Sequence, residues 1–141
     1  MQNNIEEFLK RISWSVWDRI GFARTRRGLK IFETTITQNL LFNIMYAHQY
    51  LKLPIYLFEA HSEATNGNDI EFFIQCGNNY VLFPVQAKII YPNNKYKMID
   101  HLVGGKQQID LLTDYAKQKQ GYPIYWLYNY VNPDGCGSSL M

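Results

Sequence analysis

The sequence lacks what would place it in or beyond a membrane. No apolar run approaches the roughly 20 residues of a membrane-spanning helix. The N-terminus, MQNNIEEFLK, has neither a basic segment nor an apolar stretch behind it, which excludes a secretory signal. Cysteine is scarce: Cys76 and Cys136 stand far apart, with no CxxC and no nearby pair of histidines, so the spacing of a structural zinc site is missing. One disulfide stays open as an alternative, but two free thiols in a reducing cytoplasm is the favoured expectation. Charge is sparse too. Charged residues make up 18% of the chain, against roughly 25% in an average soluble domain. The net charge of +2, from 14 Lys+Arg and 12 Asp+Glu, is too small to mark a nucleic-acid binder by bulk charge. No internal repeat or low-complexity tract interrupts the chain.

What is present is apolar and aromatic: 47% hydrophobic and 16% aromatic over 141 residues, enough for one domain, 1–141, with a sizeable core. Ile5, Phe8, Leu9, Ile12, Val16 and Ile20 recur at helical spacing and predict a helix over 4–20, stopped at Gly21. A basic loop, FARTRRGLK, follows. Ile36, Leu40, Leu41, Ile44 and Met45 predict a second helix over 32–51, which Pro54 cannot continue. The period then changes from 3.6 to 2, predicting strands over 55–59, 70–75 and 80–90, with HSEATNGN as a loop and Gly77-Asn78-Asn79 as a hairpin connection. A third helix is expected over 101–120, or from Lys106 if Gly104-Gly105 delays it, and a last strand over 122–131. The tail 132–141 reads as a loop cut short. The order α-α-β-β-β-α-β predicts an α/β (α+β) fold, with a mixed four-stranded sheet flanked by helices and an αβββαβ core over about 31–131.

The chemistry is expected on the hairpin. Alternation puts Asp69, Glu71, Phe73 and Gln75 on one face of the second strand, and Gln86 and Lys88 on one face of the third. Ile70, Phe72, Ile74, Val85 and Ile89 already supply the core-forming face. A turn at Asn78-Asn79 sets Asp69 opposite Lys88 and Glu71 opposite Gln86; a turn at Gly77-Asn78 sets Asp69 opposite Gln86. Both gather two carboxylates, an amide and an ammonium. Glu33, in the first turn of the second helix, lies on its core-facing stripe with Ile36, Leu40, Ile44 and Ala47, and a buried acid there needs a partner. Taken singly, these residues also fit ordinary roles: a cross-strand ion pair, a solvent-facing glutamate and a complement to the helix dipole.

The segments FETTIT at 32–37, NDIEFFI at 68–74 and VQAK at 85–88, in this order and context, resemble the PD-(D/E)XK phosphodiesterase superfamily. Glutamine at the first position of the third motif is similar to its Mrr-like branch, where Q-x-K replaces E-x-K. QQIDLL and YPIYWLYN extend the likeness to uncharacterised bacterial proteins of presumed restriction-endonuclease-like fold. The resemblance implies a divalent-metal-dependent nuclease (Mg²⁺ or Mn²⁺) that hydrolyses phosphodiesters, with DNA as the expected substrate and restriction or antiphage defence as the setting. It implies Asp69, the Gln86 side-chain oxygen and the Ala87 backbone carbonyl as metal ligands, Glu33 as an anchor on the metal or its water, and Lys88 as the group that positions or deprotonates the attacking water. Glu71, on the shared face, would compensate for the neutral Gln86, and Gln107 is similar to a glutamine that lines such sites.

Around this set, Arg24, Arg26, Arg27 and Lys30 of the basic loop, with Lys95 and Lys97 after the third strand, are candidates for phosphate contacts. Tyr91 and Tyr96 are candidates for base stacking. His48, His61 and His101 have no ligand-like spacing. Trp14 and Trp17 stand off the first helix's apolar stripe and mark a partner surface, for a homodimer or an additional C-terminal segment. Two rivals remain: a weak or inactive nuclease-fold module that binds nucleic acid or a protein partner, and an RNA-cleaving toxin on the same scaffold.

Overall fold

A computed structural model describes residues 4–26, 28–97 and 99–131. Helix α1 runs Ile5–Thr25, and Asn4 caps it by accepting a hydrogen bond from the Glu7 amide at 3.3 Å. Gly21 does not end this helix. It is buried within it, and a Cβ there would come to 2.4 Å from the Tyr130 ring. Glycine here serves a close approach between distant parts of the chain, so the helix takes in Arg24 and the basic loop is shorter than expected. Helix α2, Glu33–Leu51, and strand β1, Ile55–Glu59, follow as expected. The HSEATNGN segment holds one short helix, α3, Glu63–Asn66.

Strands β2, Ile70–Cys76, and β3, Asn79–Ile89, form the expected hairpin. Its register follows the Gly77-Asn78 turn, with Cys76 opposite Asn79 and Ile70 opposite Val85. The positive φ falls on Gly77, at +63°, and not on either asparagine, the arrangement of a glycine-first hairpin turn. The third predicted helix starts late. Gly104 and Gly105, both at positive φ, turn a small hairpin of β4, Leu102–Val103, and β5, Lys106–Gln107. Helix α4 then covers Gln108–Gln118, and β6 covers Ile124–Tyr128.

The main sheet has the order β1-β2-β3-β6, with antiparallel β1–β2–β3 and a parallel β3–β6 pair closed by the α4 crossover. This is a mixed four-stranded sheet with helices, an α+β fold. Ile70, Phe72 and Val85 face α2, packing with Leu41, Ile44 and Ala47. Further along the same face, Ala87, Ile89 and Tyr128 meet Val16 and Ile20 of α1 and Ile36 and Leu40 of α2. Helix α4 packs on β3, with Leu112 and Ala116 buried. Among the described residues no helix is long and apolar enough to cross a membrane. Cys76 is an exposed free thiol, and Cys136 lies outside the described residues.

Candidate active site

The site forms where β3 outlasts its partner. Strand β2 begins at Ile70, while β3 continues to Ile89, so the N–H groups of Ala87 and Ile89 on the β2 side lack a strand to bond. Two carboxylates take these positions. Asp69 Oδ2 accepts the Ala87 N–H at 2.7 Å, and Glu33 Oε2 accepts the Ile89 N–H at 2.8 Å. Glu33 reaches the strand from the first turn of α2. The two amides are two residues apart on one extended strand, which spaces their nitrogens by about 7 Å. In a strand the N–H and C=O of one residue point to the same side, so the Ala87 carbonyl faces the gap between the two acids.

Gln86 lies opposite Asp69, is buried, and donates Nε2 to Asp69 Oδ2 at 2.5 Å and to the Ala87 carbonyl at 3.3 Å. Its Oε1 is buried without a hydrogen-bond partner. Lys88 is half-buried on the same face of β3 as Gln86 by alternation, and among the described residues no ion pair holds it. Beside these groups a cleft of about 250 Å³ is lined by Glu33, Thr34, Thr37, Gln38, Glu59, Ala60 and Asp69. Tyr128 reports the field of both acids. Burial pushes its phenol above the ordinary range, the hydrogen bond with Thr37 at 3.0 Å opposes this, and Asp69 and Glu33 add to the rise. Tyr125 is raised as well, by burial and then by Asp69.

The other expected residues separate. Glu71 does not join the site: its carboxylate accepts a hydrogen bond from the Tyr115 hydroxyl beneath α4. Burial, then that bond and the Glu71 charge, push Tyr115 up to about 12. Gln107 is exposed at the N-cap of α4, and of this pair it is Gln108 that is buried. Arg24 is not an open phosphate contact. As part of α1 it donates to the carbonyls of Ile90 at 2.5 Å and Tyr130 at 3.4 Å, and burial lowers its pKa. Arg26 lies over Phe22 and Lys97 over Tyr91, at 5.2 and 4.4 Å from the ring centres. Lys30 and Lys95 are exposed, and Arg27 lies outside the described residues. Tyr96 donates its hydroxyl to Asn129. His48 packs against Tyr56 with ring centres 3.8 Å apart and the planes tilted by 44°. Trp14 is 60% exposed, while Trp17 packs on Tyr130.

Two residues escaped the sequence reading. Glu59 ends β1, takes a hydrogen bond from Gln38 and lines the cleft as its third acid. Nothing local marks it, because its place depends on how α2 packs beside β1. Gln108 was legible: 108, 112 and 116 share one helical stripe with the buried Leu112 and Ala116.

The donors suit a hard cation. Mg²⁺ takes oxygen ligands at 2.0–2.1 Å and keeps several waters. The carboxylates of Asp69 and Glu33 and the Ala87 carbonyl are the oxygen donors that would hold such an ion. No three His, Cys, Asp or Glu side chains among the described residues are grouped to hold a metal by themselves. A larger cavity of about 610 Å³ between α1 and β6 is lined by apolar and neutral residues only.

Fold and site together define an α+β protein with paired acids at the open end of its central hairpin. The chain belongs to DUF6615, a family of unknown function, whose match spans residues 5–140. No curated protein matches it.

Proposed function

We propose that this protein is a divalent-metal-dependent nuclease that hydrolyses phosphodiester bonds in DNA, on a restriction-endonuclease-like core. One observation carries the reading: acids from two separate elements flank the Ala87 carbonyl on β3, whose next residues inward and outward are Gln86 and Lys88. The order of elements, with an acid in the first turn of α2, an Asp entering β2 and Q-x-K on β3, supports it.

Asp69, Glu33 and the Ala87 carbonyl would hold Mg²⁺ or Mn²⁺. The metal supplies a more acidic water and neutralises phosphate charge. Lys88 orients the attacking water and offsets charge developing on the phosphoryl oxygens. Gln86 fixes the Asp69 carboxylate against the strand. Arg26, Lys30, Lys95 and Lys97 contact the phosphate backbone beside the cleft.

A second reading has one observation in its favour: Gln86 turns its NH₂, not its oxygen, toward Asp69. That orientation suits a nucleic-acid-binding module with a weakened site. Incubation of the purified protein with supercoiled plasmid and Mg²⁺ or Mn²⁺ separates the two. Nicking that EDTA stops, and that Lys88→Ala removes with the circular dichroism spectrum intact, is the expected result. DNA binding that persists in EDTA, with no cleavage under any divalent metal, overturns the nuclease.

A further inference from the structure

Helix α2 is apolar on two opposite sides. Its inner stripe, Ile36, Leu40, Ile44 and Ala47, is buried against the sheet and α1. Its outer stripe holds Phe42, Met45, Tyr46 and Tyr50, which are 69%, 39%, 51% and 67% exposed. The rings form a ladder at helical spacing, with centres 6.2 Å apart from Phe42 to Tyr46 and 4.6 Å from Tyr46 to Tyr50. The flanking exposed side chains are Gln38, Asn39 and Gln49. Between Glu33 and Lys52 the helix carries no Asp, Glu, Lys or Arg. The outer faces of α1 and α4 differ. They expose Glu6, Glu7, Lys10 and Arg11 in one case, and Asp110, Asp114 and Lys117 in the other.

A contiguous apolar patch on an exposed helix face marks an interaction surface. We propose that the outer face of α2 is a homodimer interface, two α2 helices packing antiparallel about a two-fold axis that passes through Tyr46. Charge and area single out a second copy. Without charge the face opposes itself with no like-charge repulsion, and its aromatics and methionine are those of an interface centre. Nucleic acid fits poorly, because aromatic platforms for bases come with a lysine- or arginine-lined groove. At roughly 200 Å² per side chain, the four residues expose roughly 450 Å². With the amide rim this approaches the roughly 800 Å² per partner of a standard interface. In an isologous contact residue i meets residue j of the second copy and j meets i, and only a residue on the axis meets its own copy. Tyr46 then faces Tyr46 of the second copy, and Phe42 faces Tyr50. Glu33 lies thirteen residues from the axis, roughly 20 Å along the helix, so the contact leaves the acidic cleft open.

Sedimentation velocity of the whole protein from about 1 to 200 µM tests this. The expected result is twice the chain mass at the upper end. Tyr46→Glu and Tyr46→Lys each weaken association at least tenfold, since each sets like charges face to face on the axis. Mixing the two variants restores a dimer, which shows that both fold and that residue 46 meets itself. A wild-type chain that stays monomeric throughout overturns the proposal, as does a dimer indifferent to both substitutions, or a mixture that stays monomeric. A wild-type monomer that nonetheless binds single-stranded DNA, with Tyr46→Glu weakening that binding, would assign the ladder to bases.

Discussion

The two ends of the β2–β3 hairpin close by different means. At the turn Cys76 pairs with Asn79, the Gln75 side-chain amide donates to the Gly77 carbonyl at 3.1 Å, and the conformational demand is one positive φ, met by Gly77. At the open end the backbone of β2 has run out, and carboxylates from the residue before β2 and from a helix complete the ladder of β3. A ladder closed by peptide groups is chemically inert. A ladder closed by Asp69 and Glu33 instead sets two acids on either side of the Ala87 carbonyl, with Gln86 bonded to one of them, so meeting the strand's hydrogen bonds also gathers oxygen donors there.

Substitutions at the two ends should part company. The largest effect falls on Asp69→Ala and Lys88→Ala, each expected to reduce plasmid cleavage by at least about 100-fold, the lower range for loss of a group acting in proton transfer or positioning. Gly77→Ala should leave cleavage per folded molecule unchanged and lower stability by about 1 kcal/mol in urea unfolding, because alanine is strained at φ +63°. Equal activity losses at both ends would break the contrast.

Stability and metal sharpen it. Asp69→Asn and Glu33→Gln keep the shape but lose charge-assisted bonds to strand amides, at a cost of about 1–2 kcal/mol each in metal-free buffer. Added Mg²⁺ should raise the melting temperature of the wild type and not that of Asp69→Asn, since a ligand stabilises only the state that binds it. A smaller effect concerns Glu71, two residues beyond Asp69 and held by Tyr115. A phenol raised to about 12 in the folded chain, above about 10 unfolded, contributes stability that is whole below about pH 10 and lost as pH rises through 12. Tyr115→Phe should therefore flatten the decline in stability across that interval, read by chemical unfolding, without altering cleavage at neutral pH. The smallest effect is electrostatic. Arg26→Ala and Lys30→Ala should each reduce the salt dependence of DNA affinity by about 0.9 in the log–log slope, and a slope unchanged by both would remove them from the interface.

Much of this organisation was legible in the sequence, and the exceptions have physical causes. The parity of the hairpin could be read because one face had to be apolar, which put Asp69, Gln86 and Lys88 together in either register. Two registers fit the sequence because asparagine, like glycine, can take a positive φ, so Gly77-Asn78-Asn79 admits two turns. Gly21 misled because a glycine that ends a helix and one that admits a ring look alike locally, and Tyr130 is remote in sequence. Arg24 misled for the same reason: once the helix is longer, its guanidinium is committed to the carbonyls that end β3 and approach the tail. Glu71 and Asp69 share a face, but only α4 decides which of them is covered.

Calorimetric titration of Mn²⁺ into the wild type and into Asp69→Ala at neutral pH tests most directly whether the open end of the hairpin is a cation site. One saturable site per chain in the wild type, lost in the variant, is the result expected. No binding in the wild type, or binding that survives removal of the Asp69 carboxylate, would contradict it.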